Sequence, residues 1–141
     1  MTRNATNEYN DVVLSEEISG FLSLLDDAQK DYLWAIDEEE RLERLTQDYL
    51  HLIELSDVDC HEGAMLLAKL KACRQQRREA KDMVLVLLPV VEFLETERGK
   101  LLIGQLQQVL GKVRRAEKYI DSRTYTPKVL SAEEFRVVYE A

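Results

Sequence analysis

The sequence is poor in the residues that break helices, form cross-links or anchor membrane spans. Its 141 residues include two prolines, five glycines and two cysteines. Two cysteines cannot build a disulfide framework, and the longest uncharged apolar run, Met83–Val91, is far shorter than the ~18 residues of a spanning helix. Residues Met1–Asp11 lack the basic and then apolar layout of a signal peptide. These absences exclude disulfide-rich and membrane-spanning proteins and predict a cytoplasmic location.

The scarcity of proline also favours helices, and apolar side chains recur with the 3.6-residue period of a helix. Ser15, followed by two acidic residues, predicts the N-cap of a short helix that Gly20 weakens. From about Ala28 to Ile53 a second apolar stripe predicts a helix that must pack against a neighbour.

Capping and proline signals divide the rest of the chain. Asp59 and Glu62 predict a capping box at the start of a third and longest helix, which is expected to kink, or to stop and restart, at Pro89. After Thr96–Gly99 a fourth amphipathic helix is predicted, fraying at Asp121–Tyr125.

A last short helix would carry Phe135 and Val138 behind a capping box of Ser131 and Glu134. Short connections make neighbouring helices antiparallel. The sequence therefore predicts an all-α fold: an antiparallel bundle of three to four helices with a long Pro-kinked third helix and a short C-terminal helix.

The length is that of one compact domain. We expect a single helical domain over residues 1–141, with residues 1–14 and 124–141 less ordered or peripheral. Helices this long often exceed their own core, so the surplus apolar surface also predicts a homodimer.

Charge is divided unevenly along the chain. Residues 1–60 contain 16 acidic and four basic residues, a net charge of −12, whereas residues 61–141 have a net charge of +4. Two interpretations are open: the halves pair with each other within the fold or a dimer, or each half addresses its own partner. Pairing is the simpler one, because like charges on one small body repel each other.

The acidic part suggests a protein-binding surface. Ten acidic residues lie between Asp11 and Glu40, against the single base Lys30. Such carboxylates could occupy the basic cleft of a partner protein, as in proteins that imitate nucleic acid; the alternative is a merely solubilising surface. The candidate binding residues are Asp26, Asp27, Asp31, Asp37, Glu38, Glu39 and Glu40.

The most distinctive stretch is basic and lies in the predicted third helix. Lys71, Arg74, Arg78 and Lys81 are spaced by three and four residues and share one helix face, with Arg77 beside it. This ridge could hold phosphate oxygens, or it could face the acids of the second helix across the bundle. A second basic cluster follows in the fourth helix. The candidate nucleic-acid-binding residues are Arg74, Arg77, Arg78, Lys81, Arg114, Arg115 and Lys118.

Residues that bind metals or catalyse reactions are few. His51, Cys60, His61 and Cys73 are the only histidines and cysteines, and their spacing is unlike that of zinc sites. The glycines are scattered singly, with neither a Gly-x-Ser-x-Gly motif nor a phosphate-binding loop. We therefore expect a non-enzymatic protein with no catalytic residues, no metal and no cofactor.

Two segments, Lys69–Asp82 and Ser122–Lys128, resemble a set of small, uncharacterised helical proteins of phages and prophages of Gram-positive bacteria. The resemblance covers roughly residues 45 to 128. It implies an origin, and hence a bacterial host cytoplasm, but no activity. The matching residues are Arg74, Gln75, Arg77, Arg78, Lys81, Asp82, Pro89, Arg123, Tyr125 and Pro127.

Two functional hypotheses follow. The first is a phage-borne accessory that binds and inhibits or modulates a host or anti-phage defence protein through its acidic helices or an exposed apolar stripe. The second is a nucleic-acid-binding accessory that uses the basic ridge, whose affinity for phosphate would fall steeply with salt.

Overall fold

The structure, a computed structural model, describes residues 13–134. Three long helices account for most of them: α1 (Leu14–Leu55), α2 (Cys60–Glu95) and α3 (Glu97–Ser122). Residues 132–134 begin a further helical turn, and this part of the chain contains no strand. The predicted all-α helical bundle is confirmed.

Helix α1 is one continuous helix of 42 residues, roughly 63 Å long at 1.5 Å per residue. The short helix predicted after Ser15 and the second helix predicted from about Ala28 therefore form one continuous helix. Gly20 is exposed inside this helix. A Cβ atom at this position would have no atom within 4 Å apart from the neighbouring backbone of its own helix. A single exposed glycine lowers the stability of a helix by only about 1 kcal/mol relative to alanine. The hydrogen-bonded helical turns on both sides offset this cost.

The start of α1 differs from the prediction that Ser15 is its N-cap. The N-cap is Val13, which makes no side-chain capping bond. Ser15 is buried, and its backbone N–H donates to Glu117 Oε1 on α3 over 3.0 Å. One of the free N–H groups of the first turn is thus satisfied by a carboxylate from another helix, where negative charge is also favoured by the helix dipole.

A seven-residue repeat of buried side chains joins α1 to α2. Ala28, Ala35 and Leu42 are buried on α1, and Cys73 and Ala80 are buried on α2 at the same spacing. Such a repeat produces an antiparallel coiled-coil seam, and its small side chains permit a close approach of the two helices.

A polar layer crosses this seam. Thr46, which is 1% exposed, donates through Oγ1 to Leu42 O over 2.8 Å. Cys73 Sγ lies 3.3 Å from the same carbonyl oxygen and 3.4 Å from Thr46 Oγ1. The buried hydroxyl and thiol are therefore satisfied within the seam.

Helix α2 has a side-chain N-cap and continues through its proline. Asp59 accepts a hydrogen bond from Glu62 N over 2.7 Å, which confirms the predicted N-cap. Pro89 lies inside the helix, which continues to Glu95. The helix does not stop at the proline; a kink there stays a prediction.

Thr96 alone separates α2 from α3. Its Oγ1 accepts from Gly99 N over 3.1 Å and so caps α3. A Cβ on Gly99 would collide with the backbone of Phe93 and Leu94. The sharp junction therefore requires glycine at this position.

Helix α3 packs along the first part of α1 and runs antiparallel to it. Near its start Lys100 and Ile103 share a cleft with Leu25, whereas Glu117, farther along, contacts Ser15. Higher-numbered residues of α3 thus meet lower-numbered residues of α1. The far half of the α1–α2 hairpin projects beyond α3.

Beyond α3, Ser131 and Glu134 form the predicted capping box. Glu134 N donates to Ser131 Oγ over 3.1 Å, and Ser131 N donates to Glu134 Oε2 over 3.4 Å. The predicted positions of Phe135 and Val138 lie outside the described residues. Between residues 13 and 134, no helix combines the length and apolar character that membrane crossing requires.

Candidate functional site

The basic ridge is defined as Lys71, Arg74, Arg78 and Lys81. All four side chains are exposed, and none forms an ion pair with a described residue. They therefore do not face the acids of α1. Arg77, predicted beside the ridge, borders the same shallow cleft as the ridge residues but also reaches α1.

Arg77 crosses to α1 and pairs with two carboxylates. Its Nη2 lies 3.9 Å from Glu39 Oε1, and its Nε lies 2.6 Å from Glu43 Oε2. The Nε contact is an ion pair without hydrogen-bond alignment. Arg77 is thus engaged by carboxylates of α1, and its assignment to a phosphate-binding set stays a prediction.

The structure does not bring the two basic clusters together. Arg114, Arg115 and Lys118 are exposed on α3, beside Glu117, which contacts Ser15 on α1. Arg77 contacts Glu39, 24 residues farther along α1. That separation is roughly 36 Å along the helix, so the clusters would meet different parts of a ligand.

The seven candidate acidic residues fan around α1 instead of forming one row, because successive residues are rotated by about 100°. Asp26 and Glu40 are paired with Lys30 and Arg44, one turn farther along the helix, and Glu39 lies in the seam against Arg77. Asp27, Asp31 and Asp37 are exposed without an ion pair among the described residues.

Glu38 forms a bidentate ion pair with Arg41 on the same helix. Arg41 donates to it through Nη2 over 2.7 Å and through Nε over 3.0 Å. These hydrogen bonds hold the pKa of the Glu38 carboxyl below its usual value and raise the pKa of Arg41. Arg41 is therefore engaged by its own helix.

One side of the hairpin presents an uncovered apolar surface. Trp34 is 56% exposed and lines a shallow cleft of about 320 Å³ with Met83 of α2. Val86, 74% exposed, and Phe93, 45% exposed, continue the line along α2. Leu24, 61% exposed, continues it along α1.

The antiparallel course of the helices places these residues on one surface. Leu24 precedes Trp34 by ten residues, and Phe93 follows Met83 by ten. Both steps run in the same direction from the shared cleft and cover about 15 Å. We call this surface the Trp34 face. It comprises Leu24, Asp27, Asp31, Trp34 and Glu38 of α1 and Gln76, Glu79, Met83, Val86, Val90 and Phe93 of α2.

Helix α3 covers the other side of the hairpin. Glu38 and Glu39 precede the buried Leu42 by four and three residues and so flank it on opposite sides. Leu25, which contacts the α3 cleft, precedes the buried Ala28 by three and lies on the Glu39 side. The Trp34 face lies on the Glu38 side, away from α3.

The histidines and cysteines are not brought together. Cys73 is buried in the seam, whereas Cys60 is exposed at the start of α2, roughly 20 Å away along the helix. His51 is exposed, with Nδ1 3.7 Å from Glu54 Oε2. Among residues 13–134 no group of three or more His, Cys, Asp and Glu side chains could hold a metal ion.

Comparison with known proteins found no similar protein: no family model, no curated protein and no solved structure matches the chain. The resemblance to phage proteins stays a prediction. The candidate sites are therefore the Trp34 face and the basic ridge, on the geometry alone.

Proposed function

We propose that this chain is a non-enzymatic protein-binding module that docks on its partner through the Trp34 face. The observation that carries the proposal is the exposure of Trp34, Met83, Val86 and Phe93 together on one side of the hairpin. Apolar area of this kind gains about 25 cal/mol per Å² when a partner removes it from water. Contiguous exposed apolar patches mark interaction sites in soluble proteins.

The residue types on this face support docking of a protein. Tryptophan, phenylalanine and methionine are enriched in the cores of protein interfaces, and tryptophan is common among residues that dominate binding energy. The face is built on two helices whose seam is buried at Ala35, Leu42 and Ala80. A rigid surface loses little conformational entropy on binding.

The phage resemblance extends the proposal to the kind of partner. A phage-borne module of this type would act in the bacterial cytoplasm and inhibit or modulate a host or anti-phage defence protein. Mimicry of nucleic acid is the less favoured route, because paired carboxylates such as Asp26, Glu38 and Glu40 do not form a continuous acidic row.

Affinity capture with paired variants tests the proposal. The tagged protein, Trp34→Gln/Met83→Gln and the control Leu33→Gln/Leu85→Gln are each used on nuclease-treated lysate of the host. Leu33 and Leu85 are as exposed as the residues of the face but lie outside it. We expect a stoichiometric partner with the parent and the control, and its loss with the Trp34 variant. Equal recovery by all three proteins would contradict docking on this face.

A second candidate function is binding of nucleic acid by the basic ridge. The observation in its favour is that Lys71, Arg74, Arg78 and Lys81 lie in one exposed row with no ion pair to a described residue. Arg74→Ala/Arg78→Ala tests it without touching the structural Arg77. If the ridge binds phosphate, this variant loses affinity for duplex DNA and flattens its dependence on salt. An unchanged salt dependence would contradict this function.

A further inference from the structure

The Trp34 face has carboxylates as well as apolar side chains. Asp27 and Asp31 lie between Leu24 and Trp34 on α1, and Glu79 lines the cleft beside Trp34 on α2. All three are exposed without an ion pair to a described residue. The face therefore presents unpaired negative charge at the margin of an apolar strip.

The basic groups near these carboxylates offset only part of their charge. Lys30 is paired with Asp26 over 2.9 Å and also interacts electrostatically with Asp27, and Glu79 borders the cleft of the basic ridge. Arg41 is held by Glu38 through two hydrogen bonds, so this pair adds no net charge. A partner that offers lysine or arginine to Asp27, Asp31 and Glu79 would gain complementary charge as well as apolar burial.

The dimensions of the face match one helix. The strip runs about 15 Å from Trp34 and Met83 to Leu24 and Phe93, close to three helical turns. It lies between two antiparallel helices, and an amphipathic helix laid along such a groove places side chains into it at every third or fourth residue.

We propose that the occupant of the Trp34 face is a cationic amphipathic helix of another protein. Its apolar stripe packs on Trp34, Met83 and Phe93, and its flanking lysines or arginines meet Asp27, Asp31 and Glu79. This inference rests on the proposed function, to which it adds the chemistry of the partner.

A second copy of this chain is a poorer occupant. Its basic ridge supplies four positive charges in one exposed row, but the large apolar residues beside that row, Leu67, Leu70 and Leu85, lie near its two ends. The ridge therefore offers charge without the continuous apolar stripe that the face would bury.

Trp34 is the only tryptophan of the chain, so its fluorescence reports on this face alone. The probes are two synthetic, tryptophan-free helical peptides with the same leucine stripe, one with lysine and one with glutamate at all polar positions. We expect the lysine peptide to shift the emission of Trp34 to the blue and to bind at least about tenfold more tightly than the glutamate peptide. Added salt should reduce this difference.

Two charge variants distinguish the effect of the carboxylates on the Trp34 face from the effect of the net charge of the protein. Asp27→Asn/Asp31→Asn/Glu79→Gln removes three carboxylates from the face, and the control Asp37→Asn/Glu92→Gln/Asp121→Asn removes three exposed ones elsewhere. We expect the first variant to bind the lysine peptide about tenfold more weakly and the control to bind it nearly as the parent does. Circular dichroism checks that both variants are folded.

Each other outcome overturns the inference. Equal binding of both peptides would leave an apolar docking face without charge selection, and equal loss in both triple variants would show attraction to net charge alone. Absence of any shift would show that a cationic helix is not the ligand. A blue shift that grows with protein concentration, with sedimentation as a dimer, would assign the face to a second copy. Lysate capture judges the proposed function separately, because its readout does not depend on the peptides.

Discussion

At the scale of single residues, the fold depends on a few small or fully buried side chains in the α1–α2 seam. Leu42 is 0% exposed at its centre. We expect Leu42→Ala to lower the free energy of unfolding by about 2–5 kcal/mol, because it removes apolar contacts and leaves a cavity. Urea unfolding measures the change. Leu33→Ala, at an exposed position, should change stability by no more than about 0.5 kcal/mol.

Arg77 and Arg78 are adjacent but should respond differently to substitution. Arg77 is half-buried between Glu39 and Glu43, whereas Arg78 is exposed without an ion pair to a described residue. We expect Arg77→Ala to lower the free energy of unfolding by about 1–2 kcal/mol, because it leaves two carboxylates without their cation. Arg78→Ala should be neutral within about 0.5 kcal/mol. Similar effects of the two substitutions on thermal unfolding would contradict the assigned role of Arg77.

The sequence could not separate these two arginines. Spacing places Lys71, Arg74 and Arg78 on one face with Arg77 beside it, but only the position of the seam shows which of them points to α1. Helical periodicity fixes relative directions around a helix and leaves the absolute direction to the packing.

At the scale of helices, the α2–α3 junction depends on glycine. A Cβ at Gly99 would collide with the backbone of Phe93 and Leu94, whereas Gly104 has no such neighbour within 4 Å. We expect Gly99→Ala to destabilise the protein by about 1–3 kcal/mol through overpacking. Gly104→Ala should stabilise it by up to about 1 kcal/mol, because alanine favours the helix. Differential scanning calorimetry compares the two, and a stabilising Gly99→Ala would contradict the described junction.

The first turn of α1 is the second place where helices depend on each other. Glu117 of α3 accepts a hydrogen bond from Ser15 N. We expect Glu117→Ala to cost about 0.5–2 kcal/mol, as loss of a capping group does, and to speed amide hydrogen exchange at the start of α1. Asp121→Ala on the same helix, where no ion pair to a described residue occurs, is the control. Unchanged exchange at Ser15 would show that the bond contributes nothing.

The presence of the helices, and most of their boundaries, could be predicted from the sequence. The capping pairs Asp59–Glu62 and Ser131–Glu134 were found from sequence, because a side chain three residues from its partner carries a local signal. The predicted division of α1 into a short helix and a second helix from about Ala28 was wrong, and so was Ser15 as the N-cap, because tertiary contacts support one continuous helix from Leu14. The apolar stripe of α1 was expected to pack against a neighbouring helix, but the seven-residue repeat of the seam was not recognised, because alanine, threonine and cysteine give a weak apolar signal.

At the scale of the whole molecule, the two oppositely charged parts of the chain pair only locally. Among the described residues, the ion pairs of Arg77 with Glu39 and Glu43 are the only ones that join different helices. The other acids of α1 either pair within their own helix or face water. Within one molecule, mutual pairing therefore involves only a small part of these charges.

The Trp34 face could not be predicted from the sequence, although each of its residues is visible there. Trp34 and Met83 are 49 residues apart, and their shared cleft depends on the register of two antiparallel helices. Local periodicity does not determine that register. The sequence did indicate surplus apolar surface, but not where it would lie.

The central claim is that a partner protein binds the Trp34 face, and site-specific photocrosslinking in cells that express the protein tests it most directly. A photoreactive phenylalanine analogue replaces Val86 on the face, Leu33 on the outer side of α1 or Arg74 on the basic ridge, all exposed positions. The account predicts a covalent protein adduct from position 86 and little from position 33. Adducts from position 33 or 74 with none from position 86 would contradict it.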